Sequence, residues 1–260
     1  MIRLHALRAI RLVSADAEAL AAFYRAIGFA SSARQRIAAA EMAQLGLSGG
    51  GTRLSLHLGD TRLDIEQFDA PGATYPADAR SCDPCFQHFA IRSSDAQADW
   101  LRARAAGATA ISRDGAVQLP PAAGSVIAVK LRDPEGHPLE FLQFPEPRPP
   151  GIDHSAIAVR DQAASLAFYR DCGLSPDPGS LNRGETQARL DGLDRATVAV
   201  VPLLPPAPHP HLELLAYRTP CPRPASWRPN DVAATRLVWS ADRTALIADP
   251  DGHLHQLEAS

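Results

Sequence analysis

The stretch IDHSAIAVRD (152–161) sets His154 on one face of a short strand beside Ile152, Ala156 and Ala158, all apolar and mostly small. An imidazole there can ligate a metal, move a proton near neutral pH, or sit hydrogen-bonded in a core. HFAIRSSD (88–95) opens with His88 in the equivalent place. Of the four cysteines, Cys82 and Cys85 form CDPC, a single C-x-x-C. A zinc site needs a second such pair, and a thioredoxin-like site needs a strand-to-helix setting. This pair precedes a strand from a loop, so reduced thiols are expected. His137 and His253 belong to DPxGH turns and read as structural. His5, His57, His209, His211 and His255 have no partner pattern and are expected exposed or half-buried.

The elements that must position these residues repeat along the chain, and a repeat is sought before any local assignment. AFYRAIGF (22–29) matches AFYRDCGL (167–174), and each follows a strand-like run ending in Asp, AIRLVSAD (9–16) and HSAIAVRD (154–161). The Asp predicts a helix cap, the Phe-Tyr pair a buried helix face, and the Gly a helix end. A third copy begins at His88 and carries Trp100 and Leu101 to Gly107, and the Asp-to-Gly interval is the same in all three. A fourth, TRLVWSAD (235–242), has no helix after it. VIAVKLRDPEGHPLEFLQF (126–144) and TALIADPDGHLHQLE (244–258) read as hairpins turning at Asp-Pro-x-Gly. TRLDIEQF (61–68) and HLELLAY (211–217) read as the closing strands of copies one and three. The prediction is an α+β chain of four βαβββ modules, at 1–75, 84–146, 150–218 and 230–260, the fourth truncated. Pro-rich joints separate them, and VVPLLPPAPHPH (200–211) is expected as a loop within module three.

At 260 residues the chain can hold one large or two modest domains. A net charge of -3 with no Lys/Arg-rich block argues against nucleic acid and anionic membrane as partners. No apolar run approaches the ~20 residues of a membrane span, and the start shows no signal-peptide pattern. A cytoplasmic protein acting on a small molecule, as monomer or homodimer, is expected. No GxGxxG, P-loop or nucleophile elbow occurs, so nucleotide and serine-hydrolase readings have no support.

The module order, His-x-Ala-Ile openings and the DPEGHPLE element resemble the vicinal oxygen chelate superfamily, which includes glyoxalase I, extradiol dioxygenases and bleomycin-resistance proteins. The resemblance covers nearly the whole chain. It implies that paired modules curl into half-open β-barrels around one divalent metal, with ligands on the first and last strand of each module. Carried over by position, these are Ala9 and Asp64 in module one, His88 and Glu140 in module two, His154 and Glu213 in module three, and Thr235 and Gln256 in module four. Pairing one with two and three with four gives two damaged sites. Pairing two with three gives one complete set, His88, Glu140, His154 and Glu213, and leaves modules one and four as a degenerate cup. The second arrangement is the expected one, and His154 is then an inward ligand.

Two imidazoles and two carboxylates suit Zn²⁺, Ni²⁺, Co²⁺, Mn²⁺ or Fe²⁺. Four protein ligands on an octahedral ion leave two adjacent positions for a substrate with neighbouring oxygens. That arrangement implies glyoxalase-type lyase or isomerase chemistry, with Glu140 or Glu213 as catalytic base. A two-His, one-carboxylate triad on Fe²⁺ would instead suit an extradiol ring-cleaving dioxygenase. A metal-free, drug-sequestering cup is the non-enzymatic alternative. Asn182, Gln187 and Arg189 in SLNRGETQARLDGL (180–193) fall on or near a middle strand. Gln187 and Arg189 share a face there and either bind substrate or are solvated.

Overall fold

A computed structural model of the chain describes residues 2–207, 209–224 and 226–260. The chain divides into four successive segments, of which the first supplies β1 (Leu4–Val13), α1 (Ala17–Ala26), β2 (Ala30–Arg36), α2 (Ala39–Gln44), β3 (Gly51–Leu58) and β4 (Thr61–Phe68). The second supplies β5 (Gln87–Ser93), α3 (Ala96–Ala105), the two-residue strands β6 (Thr109–Ala110) and β7 (Val117–Gln118), then β8 (Ile127–Arg132) and β9 (Pro138–Gln143). The third supplies β10 (Ile152–Ala158), α4 (Gln162–Asp171), β11 (Ser175–Pro176), β12 (Ser180–Arg183), α5 (Glu185–Asp191), β13 (Thr197–Leu204) and β14 (His211–Thr219). The last supplies β15 (Arg236–Ala241), β16 (Ala245–Ala248) and β17 (Leu254–Ala259), with no α-helix.

The repeated Asp caps the repeated helix. Asp16 accepts from the Ala19 amide at 3.0 Å, Asp95 from Ala98 at 3.0 Å, and Asp161 from Ala163 and Ala164 at 2.9 and 3.0 Å. Each bond satisfies an amide that the first helical turn leaves open. Just past each helix the chain turns with a positive φ, at Gly28 (108°), Gly107 (107°) and Gly173 (90°), a conformation open to glycine.

The strands form two curled sheets. One runs β16-β17-β15-β1-β4-β3-β2 and the other β11-β13-β14-β10-β5-β9-β8-β6. The first and last stretches of the chain therefore share one sheet, and the two middle stretches share the other. Their core-facing sides meet in a single apolar cluster that takes Leu12, Phe141, Leu214 and Trp239 from strands and Tyr24, Trp100 and Tyr169 from helices. Burying each such side chain contributes about 1.5–3 kcal/mol.

Two copies of one polar device lock the sheets together. Tyr24 on α1 donates to Asp133 (2.9 Å), which also binds His137 Nδ1 (2.8 Å), while His137 Nε2 meets the Val13 carbonyl (2.9 Å). Tyr169 on α4 donates to Asp249 (2.9 Å), with His253 Nδ1 on Asp249 (2.9 Å) and Nε2 on the Pro84 carbonyl (2.8 Å). Both nitrogens of each ring face acceptors, so each ring must carry two protons. Burial opposes the charge on His253, but Asp249 and the Pro84 carbonyl outweigh it and hold the ring above its ordinary 6.5. Burial likewise opposes the Asp249 carboxylate, and His253 and His255 outweigh it to hold that group below 3.8. A raised histidine stabilises fully below pH 6.5 and loses that contribution as pH climbs through the native value; the depressed Asp249 loses its own as pH falls below 3.8. His253→Gln should cost about 3 kcal/mol at pH 6 in urea unfolding, and its deficit against wild type should shrink toward pH 10. A deficit constant across that range would contradict the doubly protonated ring.

Three expectations need correction. VVPLLPPAPHPH begins as strand, because β13 runs to Leu204; its Pro208 and the linker residue Ala225 lie outside the described residues. Gln187 and Arg189 lie on a helix, α5, not on a strand. The helix ends at Gly192 with φ 65°, a stop signal inside ARLDGL that a strand reading ignores. His211 and His255 are buried: His255 accepts from Trp239 Nε1 (3.0 Å) and meets the Tyr169 hydroxyl (2.9 Å) in the core.

Candidate metal centre

The middle sheet places four strands, β14, β10, β5 and β9, side by side, and its register builds the site. Antiparallel β5 and β10 set His88 opposite Ala156 and His154 opposite Ala90. Each imidazole thus faces a methyl group, which leaves the two rings room on one face, 6.1 Å apart between centroids. Parallel β9 sets Glu140 beside Ala90, and parallel β14 sets Glu213 beside Ala156. The small residues around His154 are therefore the space in which four polar side chains converge.

His88 Nε2 lies 3.3 Å from Glu140 Oε2, and His154 Nε2 lies 3.9 Å from the same oxygen and 3.6 Å from Glu213 Oε2. Ligand atoms of His88, Glu140 and His154 all fall within 4.8 Å of one another. His154 Nδ1 meets Asp153 Oδ2 at 3.2 Å. A carboxylate behind a histidine fixes its tautomer and turns the other nitrogen toward a ligand. Asp153 is in turn held by Arg92 (3.1 Å) and Arg148 (3.4 Å). Asp153, His154 and His211 also form a close group, but these two guanidinium groups already meet its carboxylate.

The donor set fits a divalent cation. With His154 Nδ1 taken by Asp153 and Glu213 Oε1 by His211, the nearer atoms, His88 Nε2, His154 Nε2 and one oxygen of each glutamate, face one another, and His88 Nδ1 has no partner. Burial disfavours charge on both rings. For His88, burial and Lys130 hold the pKa below its ordinary value. For His154, Glu213, Asp153 and Glu140 outweigh burial and push it up to about 9. A proton on His154 thus stands where a cation would offset one buried and one half-buried carboxylate. Burial also opposes the charge of Glu140, yet Lys130 and the histidines bring it down to about 2.

These groups line a cavity of about 510 Å³, within the range of small-molecule pockets. Asn182, on β12, and Gln187 line it; Arg189 does not, and its guanidinium turns toward Asp114 (3.8 Å). Residues two apart on a helix do not share a face, which separates Gln187 from Arg189. The sequence reading also missed three groups. Asp153 and His211 flank the ligand positions, His211 Nε2 lying 3.5 Å from Glu213 Oε1. Lys130 stands opposite Glu140 across β8 and β9. The i, i+2 spacing of His211 and Glu213 on one strand was the available signal.

The other sheet replaces such a centre with its own charges. Arg11, two residues past Ala9, pairs with Asp64 (3.1 Å) and with Glu41 of α2 (2.6 Å). Arg53 and Arg236 both clamp the fully buried Glu66. Asp64 is further held by Ser55 (2.7 Å), and Gln256 donates to Gln44 of α2 (3.2 Å). Position-by-position transfer places Thr235 inward, but the register sets Arg236 opposite Arg11 and Val238 opposite Ala9. A slip of one residue exchanges the faces of a strand. Among the described residues this sheet holds no group of potential metal ligands. Cys82 and Cys85 are buried free thiols, each pushed up to about 11 by burial.

The family model for a glyoxalase-like domain matches residues 9–142, just over half of the chain. No curated protein matches the sequence closely enough to count as a relative. Among solved structures, glyoxalase I from Zea mays aligns over 100% of this chain and 92% of its own, with TM-score 0.60 at 13% identity. A Bacillus subtilis subsp. subtilis str. 168 protein with a provisional dioxygenase assignment aligns over 99% of this chain and 86% of its own, with TM-score 0.57 at 11% identity. At such identities the likeness speaks for the fold, while the match of the domain model speaks for descent. The chain belongs to the glyoxalase-like family, within the vicinal oxygen chelate superfamily.

Proposed function

We propose that this protein is a metal-dependent enzyme of the glyoxalase type, moving a proton next to a carbonyl on a small substrate with two neighbouring oxygens. The observation that carries this reading is the convergence of two imidazole nitrogens and two carboxylates within one cavity. His88, His154, Glu140 and Glu213 would hold the cation, which supplies Lewis-acid polarisation of the substrate carbonyl. The chain's own groups divide the remaining work. Glu140 is packed against Lys130 and His88 and stays ionised, which suits a permanent ligand. Glu213 has a side chain 19% exposed against 6% for Glu140. It faces the cavity with His211 behind it, and is the base that takes the substrate proton. Apolar walls, among them Leu119, Leu142 and Leu215, exclude water from the carbanion that forms.

One observation favours a second reading. His88, His154 and Glu140 form a compact trio outside which Glu213 lies, and two histidines with one carboxylate are the triad of an Fe²⁺ ring-cleaving dioxygenase. Oxygen separates the two. In D₂O, without O₂, 2-hydroxy ketones and 2-oxo aldehyde adducts should exchange the hydrogen next to the carbonyl. Glu213→Gln should slow this exchange about 10²–10⁴-fold. Activity on catechols that vanishes without O₂, with no exchange, would overturn the glyoxalase-type reading.

A further inference from the structure

Lys130 and Tyr217 line the cavity, and neither is given a contact with substrate by the chemistry above. Lys130 is 4% exposed, and its ammonium donates to Asp191 Oδ1 at 2.8 Å. Among the described residues it makes no other hydrogen bond, which leaves two N–H groups without acceptors. The other oxygen of Asp191 accepts from Gln187 at 2.8 Å, so that carboxylate is engaged on both sides. The Tyr217 hydroxyl, 7% exposed, lies beside Asp191, whose two oxygens already accept from Lys130 and Gln187, and it makes no well-aligned hydrogen bond there. Two buried donors lining one cavity are costly unless an acceptor meets them.

We propose that Lys130 and Tyr217 form a carboxylate subsite, so that the substrate is a monocarboxylate with an apolar body. This rests on the metal reading for its charge balance. A divalent cation would offset Glu140 and Glu213, and Arg92 and Arg148 meet Asp153, which leaves Lys130, bonded to Asp191 through one N–H alone, to meet an incoming anion. A monocarboxylate brings one charge and two acceptor oxygens for the unused donors. Val126, Leu142, Val198 and Leu215 take the rest of the ligand.

The test is calorimetric titration of the full chain, zinc-loaded and metal-free, with 3-phenylpropionate and its neutral isostere 3-phenylpropanamide. Zinc-loaded wild type should bind the acid at least about tenfold tighter, the worth of one good charge-assisted bond. Tyr217→Phe removes only a hydroxyl from an Asp191 carboxylate that keeps Lys130 and Gln187; it should fold normally and lose several-fold in acid affinity. Lys130→Met would strand Asp191, so it is made together with Asp191→Asn; that pair should abolish the preference while zinc content is retained. Equal binding of acid and amide, no binding of either, or a preference that survives the Lys130 change would each overturn the proposal. A Lys130-dependent preference in protein that takes up no zinc would support the subsite and sink the metal reading. Zinc uptake without the preference would do the reverse.

Discussion

His154→Ala should abolish metal binding, whereas Gln256→Ala, at the last-strand position of the other sheet that corresponds to Glu213, should leave it intact. His154 is the hub of the cluster: Nε2 faces both glutamates, and Nδ1 is pinned by Asp153. Alanine supplies no donor, and Ala90 across the strand pair cannot replace it. Outer partners of a ligand are worth about 10–100-fold in metal affinity, and loss of the ligand itself should exceed about 100-fold. Gln256 is bound to Gln44, and among the described residues its sheet holds no group of three or more His, Cys, Asp or Glu side chains close enough to share an ion. Equilibrium dialysis with Zn²⁺ checks both variants, and equal metal loss in the two would contradict this division of the molecule.

Glu66→Ala is expected to be the most destabilising single change. Glu66 is fully buried, accepts from Arg53 Nε at 2.8 Å and pairs with Arg236, with Arg11 at 3.5 Å. Removing it strands two buried guanidinium groups with only Glu41 and Asp64 nearby. Breaking such a pair costs about 3–5 kcal/mol, or roughly 10 °C in melting temperature for a chain of this size. Replacing the whole network by well-packed apolar residues is the opposite case and need not destabilise. Thermal unfolding of Glu66→Ala measures the cost. Its folded fraction should still take up metal as wild type does, because the network and the centre lie in different sheets.

These two outcomes mark what the sequence disclosed. The constant interval from Asp to Gly, the AFYR segments and the DPxGH turns carry short-range physics: a cap, a buried aromatic and a glycine stop. Local signals of that kind survive in the chain order, and the repeat made them visible. That His88, Glu140, His154 and Glu213 would converge was legible because their strands repeat in step. What stayed hidden depended on contacts between distant strands. The one-residue slip that turns Arg236 rather than Thr235 toward Arg11 arises from pairing between β1 and β15, more than 220 residues apart. The same holds for Lys130, an ordinary surface residue by sequence, which acquires its burial from α5 and Asp191. Helices α2 and α5 are six and seven residues long, too short for a periodic signal to separate them from strands. His211 was set aside for want of a partner, and its partner is the residue two places on.

The central claim is that the middle sheet holds one cation between two imidazoles and two carboxylates while the other sheet holds none. Anomalous diffraction at the absorption edge of a soaked divalent metal tests it most directly. One peak per chain, bounded by His88, His154, Glu140 and Glu213, is the predicted result. A peak beside Asp64, or none in a crystal equilibrated with the metal, would contradict it.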